Sequence, residues 1–495
     1  MVTRTVGPFA YYSEIYAGVT GDSIRAAVDP VDTHASDLGA LADELRGDEK
    51  HILESTEGDI STAVAASPFV PYEIARSLTA KAQFASGCTR LFAQDVDAFD
   101  TTVNGINESY RSMVSGAQHD PDVRGGDVSM SDLQAGFKAN LQPRYTAAEN
   151  ALDARADEVA GKLRNGPTDE DVRQLIRAGL MPLAAASYFP TLVLTDSDKQ
   201  AAYNAAVTQT IARLRKEGLL TGSDPVGPYR DWLENAARRG VSIDAIIDIA
   251  RDHDITPEDF DVLDGLEEVK DRDGKSYFIL PDDISGDDAR NAVLMTYILN
   301  AGTDYGTAGP TRDFPETPYS SQEIQRIKDR QDANNWFSYD QDVGFVHGNG
   351  GRLSTTPNGM LMGLGGDGLQ DLYSLNGGTT FGDIFMMNID DPSDEEAALR
   401  QIIRSGEGPT VDDDGNLALR GDHLDLDRLL HHEEQHSRQW ADEGYAGFIA
   451  GYLNESVDVD WKGWGPFQAP VPHTVEGKDN SYESGAGLTD GGYDE

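Results

Sequence analysis

The chain has 495 residues, 39% of them hydrophobic, enough for about three folded units with real cores, which excludes a disordered or fibrous protein. Forty Lys and Arg against 86 Asp and Glu leave a formal net charge of −46. A field of that sign repels phosphate backbones and anionic lipid surfaces, and the lone Cys88 has no second thiol for a disulfide or a thiolate metal site. Nucleic acid and the membrane surface are therefore not expected partners, and any metal has to rest on histidine and carboxylate.

Met1 to Gly18 lacks the apolar core of a secretory signal, so cleavage by that route is not expected. From Ile74 an apolar seam runs through Leu78, Ala85, Cys88, Phe92, Phe99, Val103, Ile106, Tyr110 and Met113, its later steps alternating three and four. That spacing predicts a long helix in a hairpin or coiled coil, with partner helices at 37–64 and 131–164 and Pro143 inside the latter. In this setting Cys88 reads as a small core residue. The uncharged stretch Ala178–Thr195 is broken by Pro182 and Pro190 and falls short of a membrane span.

Residues 1–165 are thus expected to form a helical module, 166–300 a helical middle region and 301–495 a C-terminal domain. Shorter helices are expected at about 198–217, 229–239, 242–252, 256–266, 286–300 and 321–334, with Asp273-Gly274 turning a small hairpin. Asp271 and Asp273 lack the remaining ligand spacing of a calcium loop. Strand-length runs follow at Val343–His347, Arg352–Thr355, Met360–Leu364 and Phe381–Ile389, punctuated by glycine clusters that read as turns rather than phosphate loops. Asp412–Asn416 reads as a turn between two short strands.

The chemistry is concentrated in Leu429–Gly447, where His432, Glu433 and His436 form an HExxH pattern on an expected helix. Residues four apart share one helix face, so both imidazoles can reach one tetrahedral Zn2+. Glu433 beside the first ligand can then act as general base on a metal-bound water. His431 pairs at four residues only with Gln435, a rare zinc ligand. Helices of this kind carry uncharged residues between the histidines because that face packs into the core, and Glu434 departs from this. A third ligand is expected downstream, from Asp442, Glu443, Glu455, His473, Glu476 or Glu483. Glu483, in the first turn of a helix capped by Asn480, gives a workable geometry, with Glu455 and Glu476 behind it.

The run HEEQHSRQ at His432–Gln439, with Trp440, Gly444 and Phe448, resembles the HExxHxxQ helix of bacterial zinc metallopeptidase-like domains at the C-termini of secreted effector and polymorphic-toxin-like proteins. GGTTFGDIFMMN at 377–388 resembles the turn and strand before that helix, and NSYESGAGLTDGGY at 480–493 resembles the closing Asn-x-aromatic-Glu motif. The resemblance implies a zincin-like domain over 301–495, with His432, His436 and Glu483 as zinc ligands and Glu433 as base. It departs at Glu434 and Gln435, where the related pattern has an uncharged residue and a glycine. The N-terminal helices resemble the hairpins of actinobacterial type VII secretion substrates; no Trp-x-Gly turn is present, and Tyr145 with Glu149 matches a Tyr-x-x-x-Asp/Glu export spacing.

The fold expected is α+β and predominantly α: a long helical hairpin, then a zincin-like domain with a small sheet and an active-site helix. The function expected is zinc-dependent hydrolysis of peptide bonds in a protein or peptide substrate, by an effector secreted or cell-surface through a signal-peptide-independent route. The N-terminal helices would meet a secretion-system partner. His473 or Tyr493 would stabilise the developing oxyanion, and Phe381, Gly382, Asp383 and Ile384 would lie on a strand that takes substrate by strand addition. The alternative is a non-catalytic metal-binding or helical interaction protein, cytoplasmic or part of a secretion system.

Overall fold

The computed structural model describes residues 4–35, 38, 70–126, 128–302, 319–365, 378–387, 394–411, 417–419, 425–462, 469–474 and 481–486. The chain divides into two compact units, Met1–Ala205 and Ala206–Glu495.

The first unit is built on α1 (Val70–Ala117) and α2 (Met130–Asn165). They run antiparallel, since Phe99 packs on Tyr145 and Arg155 pairs with Asp95. The later part of the expected seam forms their interface, where Val96, Phe99, Val103 and Ile106 are buried with Leu141, Tyr145 and Leu152, while its first members Ile74 and Leu78 are exposed. The segment from Thr5 to Tyr12 lies along α1, where Asn107 accepts from the Phe9 amide at 3.2 Å and donates to the Phe9 carbonyl at 3.0 Å. Tyr145 is buried under that segment and donates to the Ala10 carbonyl, so the Tyr145–Glu149 pair is not a free surface feature. Cys88 is fully buried and desolvation pushes its thiol up to about 11, in keeping with a core residue. The expected helix at 37–64 lies outside the described residues apart from residue 38. Within the expected boundary at 165–195, Thr168 caps a real helix, α3 (Asp169–Arg177).

The unit boundary falls inside α4 (Asp196–Lys216). The second unit adds α5 (Gly227–Arg239), α6 (Ile243–Asp252), α7 (Gly286–Leu299), α8 (Ser321–Phe337), α9 (Glu395–Ser405), α10 (Leu426–Ser456) and α11 (Ser481–Ala486). Its six-stranded sheet comprises β1 (Glu267–Lys270), β2 (Ser276–Ile279), β3 (Arg352–Thr355), β4 (Leu361–Leu364), β5 (Gly378–Phe381) and β6 (Ile384–Met387), in the order β1-β2-β3-β4-β6-β5. Every pairing is antiparallel except β4 with β6. Two short hairpins stand apart, β7 (Pro409–Val411) with β8 (Leu417–Leu419) and β9 (Val457–Lys462) with β10 (Ala469–Thr474).

Helices cover both faces of the large sheet, which explains why β2, β4 and β6 are buried along their whole length. Phe278, Leu353, Leu361 and Ile384 face the core made with α7, including Val293 and Ile298. Tyr277, Ile279, Met362 and Phe385 face Leu399 and Ile402 of α9 and Leu426, Leu429 and Leu430 of α10. The helical character and the small mixed sheet agree with the expected class. Among the described residues no helix is long and apolar enough to cross a membrane.

Three expectations are corrected. The middle region is not separate, because β2 pairs with β3 and the α7 core joins residues from 207 to 386. Residues Val343–Gly348 are helical, continuing α8 through a π-helical turn at Ser338–Asp342. The run from Phe381 is not one strand: Gly382, at φ 56°, turns the chain back, so Phe381 ends β5 and Ile384 begins β6.

Candidate metal centre

Helix α10 starts where Asp425 accepts from the Asp427 amide at 3.0 Å and Leu426, Leu429 and Leu430 pack on the sheet. One turn on, His431, His432, Glu433, Glu434, His436 and Ser437 are all buried. A solvated helix face is excluded by that burial, so each of these groups needs a partner inside.

His432 Nε2 and His436 Nε2 lie 3.1 Å apart with their rings at 84°. Two tetrahedral zinc ligands at about 2.0–2.1 Å from the ion stand about 3.3 Å apart, so the pair fits a single zinc. His436 Nδ1 is 2.9 Å from Gln439 Oε1, and Gln439 Nε2 donates to the Tyr482 carbonyl at 3.0 Å. With its amide nitrogen committed to a carbonyl, Gln439 offers an acceptor to His436; Nδ1 therefore carries the proton and Nε2 keeps its lone pair. Burial pushes His431 down to about 4, so it is a neutral core imidazole.

Glu433 is met from the sheet edge. Thr380 Oγ1 on β5 donates to Glu433 Oε2 at 2.6 Å, and Trp440 Nε1 on α10 donates to the Thr380 carbonyl at 2.9 Å. Strand and helix thus hold each other on either side of the carboxylate.

Glu434 points toward α8, with its Oε2 3.7 Å from His431 Nδ1. Burial would raise its carboxyl, but the guanidiniums of Arg438, Arg326 and Arg330 overturn that and hold it far below the usual range. Arg438 Nη2 is 2.9 Å and Arg330 Nη1 3.1 Å from Glu434 Oε1. The departure at 434 is therefore a compensated buried charge rather than a break in packing.

Asp383 was expected on a substrate strand, yet it is fully buried. Its carboxylate accepts from Asn334 Nδ2 and Tyr339 Oη, each at 3.0 Å, and from Ser437 Oγ, and lies 3.1 Å from Arg330 Nε. Ile384 is buried in β6, which lies between β4 and β5, so the end strand of the sheet order on this side is β5. Of the four expected strand residues, only Phe381 lies on that edge strand, half-buried against Trp440.

Glu483 falls on α11, the helix whose Tyr482 carbonyl takes the Gln439 bond; its side chain lies outside the described residues. The same holds for the side chains of His473 on β10 and Glu455 on α10, and Glu476 and Tyr493 are outside altogether. Asp442 and Glu443 are exposed, and Glu443 accepts from Tyr482 Oη at 2.8 Å.

Among the described residues, the carboxylates close enough to share a metal are Asp271, Asp273 and Asp427, within 4.8 Å of one another. Lys275, itself buried, pairs with Asp427 and lies 4.0 Å from Asp271 Oδ2. Its ammonium supplies the positive charge there and ties β2 to the start of α10. An all-carboxylate set is also the wrong donor chemistry for zinc.

Sequence reasoning missed Thr380, Arg326, Arg330 and the role of Asp383. Arg326 and Arg330 stand four apart on one face of α8, a signal that something acidic is buried opposite. No family model, curated protein or solved structure matches the chain.

Proposed function

We propose that the second unit is a zinc-dependent peptidase, with His432 and His436 as ligands, Glu483 as the third, and Glu433 as general base. The observation that carries the reading is the 3.1 Å convergence of the two Nε2 atoms beside a glutamate held by the sheet edge. A bound zinc would supply a Lewis acid and lower the pKa of its water toward about 7. Glu433, fixed by the Thr380 hydroxyl, takes a proton from the attacking water and returns it to the leaving amine. Gln439 keeps His436 in the ligating tautomer and links it to α11, where Glu483 lies. β5 ends the sheet order, the position at which strand addition would seat an extended peptide rather than a small ester, with the Thr380 carbonyl there already held by Trp440.

Proteolysis by the zinc-loaded wild type against Glu433→Gln tests this. The variant should keep its metal and lose turnover; equal activity in the two removes the peptidase reading. The wider reading, an exported effector, rests on the helical hairpin and on the Tyr145–Glu149 spacing in sequence, Tyr145 itself being buried under the N-terminal segment. Secretion of Tyr145→Phe against wild type tests it without removing the buried ring.

A further inference from the structure

We propose that Asp383 is a positioning residue that holds the β5 edge over the metal centre, an inference that rests on the peptidase reading. Three elements converge on the β5–β6 turn. From the π-helical turn, Ser338 Oγ accepts from the Asp383 amide at 2.9 Å and Tyr339 Oη donates to its carboxylate. From α8 come Asn334 and Arg330. From α10 comes Ser437, the residue after His436, whose carbonyl also accepts from Asn334 at 3.1 Å.

The approach is close enough to require glycine at 382, where a Cβ would stand 2.2 Å from Ser338 Oγ and 2.3 Å from the Phe337 ring. A π-helical turn shifts the register of the side chains after it; here it brings Ser338 and Tyr339 to the turn. Three residues before Asp383, Thr380 bonds Glu433. A carboxylate that touches neither substrate nor metal thus fixes the strand against the ligand helix from both sides of the turn. Three hydroxyl or amide donors and the Arg330 guanidinium converge on it, so removing its charge leaves Arg330 with Glu434 as its remaining anion and loosens the turn.

The full chain is tested as Asp383→Asn, Ser437→Ala and Ser437→Thr. Each is loaded with Co(II) and followed by its absorption spectrum, by cleavage of a short and a long internally quenched peptide, and by amide exchange at Gly378–Phe381. Asp383→Asn and Ser437→Ala should keep the wild-type Co(II) stoichiometry and spectrum, lose about a hundredfold in kcat and exchange faster in β5. KM should rise only for the peptide long enough to run along β5, and Ser437→Thr should restore the wild-type values. Wild-type kcat and exchange in Asp383→Asn would overturn the proposal, as would Co(II) binding lost in step with kcat. A wild type that loads Co(II) and cleaves nothing removes the peptidase reading instead. Exchange then decides the clamp: faster in Asp383→Asn upholds it as a strand-holding contact, and unchanged exchange overturns it.

Discussion

Two buried helix contacts in this protein are built on opposite principles. Between α1 and α2 the contact is apolar: Val96, Val103 and Ile106 meet Leu141 and Leu152. Between α8 and α10 it is charged and polar, with Arg326, Arg330 and Asn334 on one side and Glu434 and Ser437 on the other. The first is non-directional and roughly additive in area, so it tolerates exchange among apolar residues of similar volume. The second is directional, because each charge removed leaves its buried partners under-compensated: Glu434 is shared by Arg326, Arg330 and Arg438, and Arg330 is shared by Glu434 and Asp383. A helix that must present two imidazoles in one geometry gains from the second kind of contact, since slippage would break specific pairings.

The contrast predicts a ranking of substitutions. Arg330→Met deprives both Glu434 and Asp383 of a cation, and chemical denaturation should show the second unit losing about 4 kcal/mol. In the apolar seam, Ile106→Ala should lose about 3 kcal/mol. The sharper test is the conservative pair: Ile106→Val should cost only about 1 kcal/mol, whereas Arg330→Lys, which cannot bridge two carboxylates with a planar fork, should stay close to Arg330→Met. Similar small losses for both conservative changes would erase the distinction.

At the centre itself, Gln439→Ala frees the His436 Nδ1 proton and the α11 tie. Competition with a chelator should then report a zinc affinity about 10–100-fold weaker. The smallest effect belongs to Asp342 on the π-helical turn, whose carboxyl burial raises from 3.8 to about 6. The native state holds that proton longer than the unfolded chain, so the group's contribution is present below about pH 4 and is lost as pH rises through about 6. Asp342→Asn should therefore stabilise the second unit by about 1 kcal/mol above pH 7, allowing for partial solvent access, and change nothing near pH 4. Melting at the two pH values checks the sign.

The same contrast decides what was legible in the sequence. Periodicity reports apolar faces, so the seam from Phe99 to Ile106 on α1 against α2 follows from spacing, whereas α9 was not anticipated. The convergence of His432 and His436 was legible because four-residue spacing puts both rings on one helix face. Glu434 read as a defect because, besides Arg438 one turn on, its counter-ions are far upstream in the chain, Arg326 by 108 residues. Val343–His347 is apolar enough to suit strand or helix, and the π-helical turn before it chose helix. The split at Gly382 needed the Ser338 approach, a tertiary contact with no local signature. Thr380 was equally hidden, since a threonine on a strand is ordinary until Glu433 stands beside it.

The central claim is that His432 and His436 converge on a metal rather than on each other. Elemental analysis of the protein after zinc loading and exhaustive dialysis, alongside His436→Ala, addresses it directly. The account predicts one zinc per wild-type chain and loss of that zinc in the variant. A wild type that retains none would contradict it and leave the 3.1 Å contact as an imidazole–imidazole hydrogen bond.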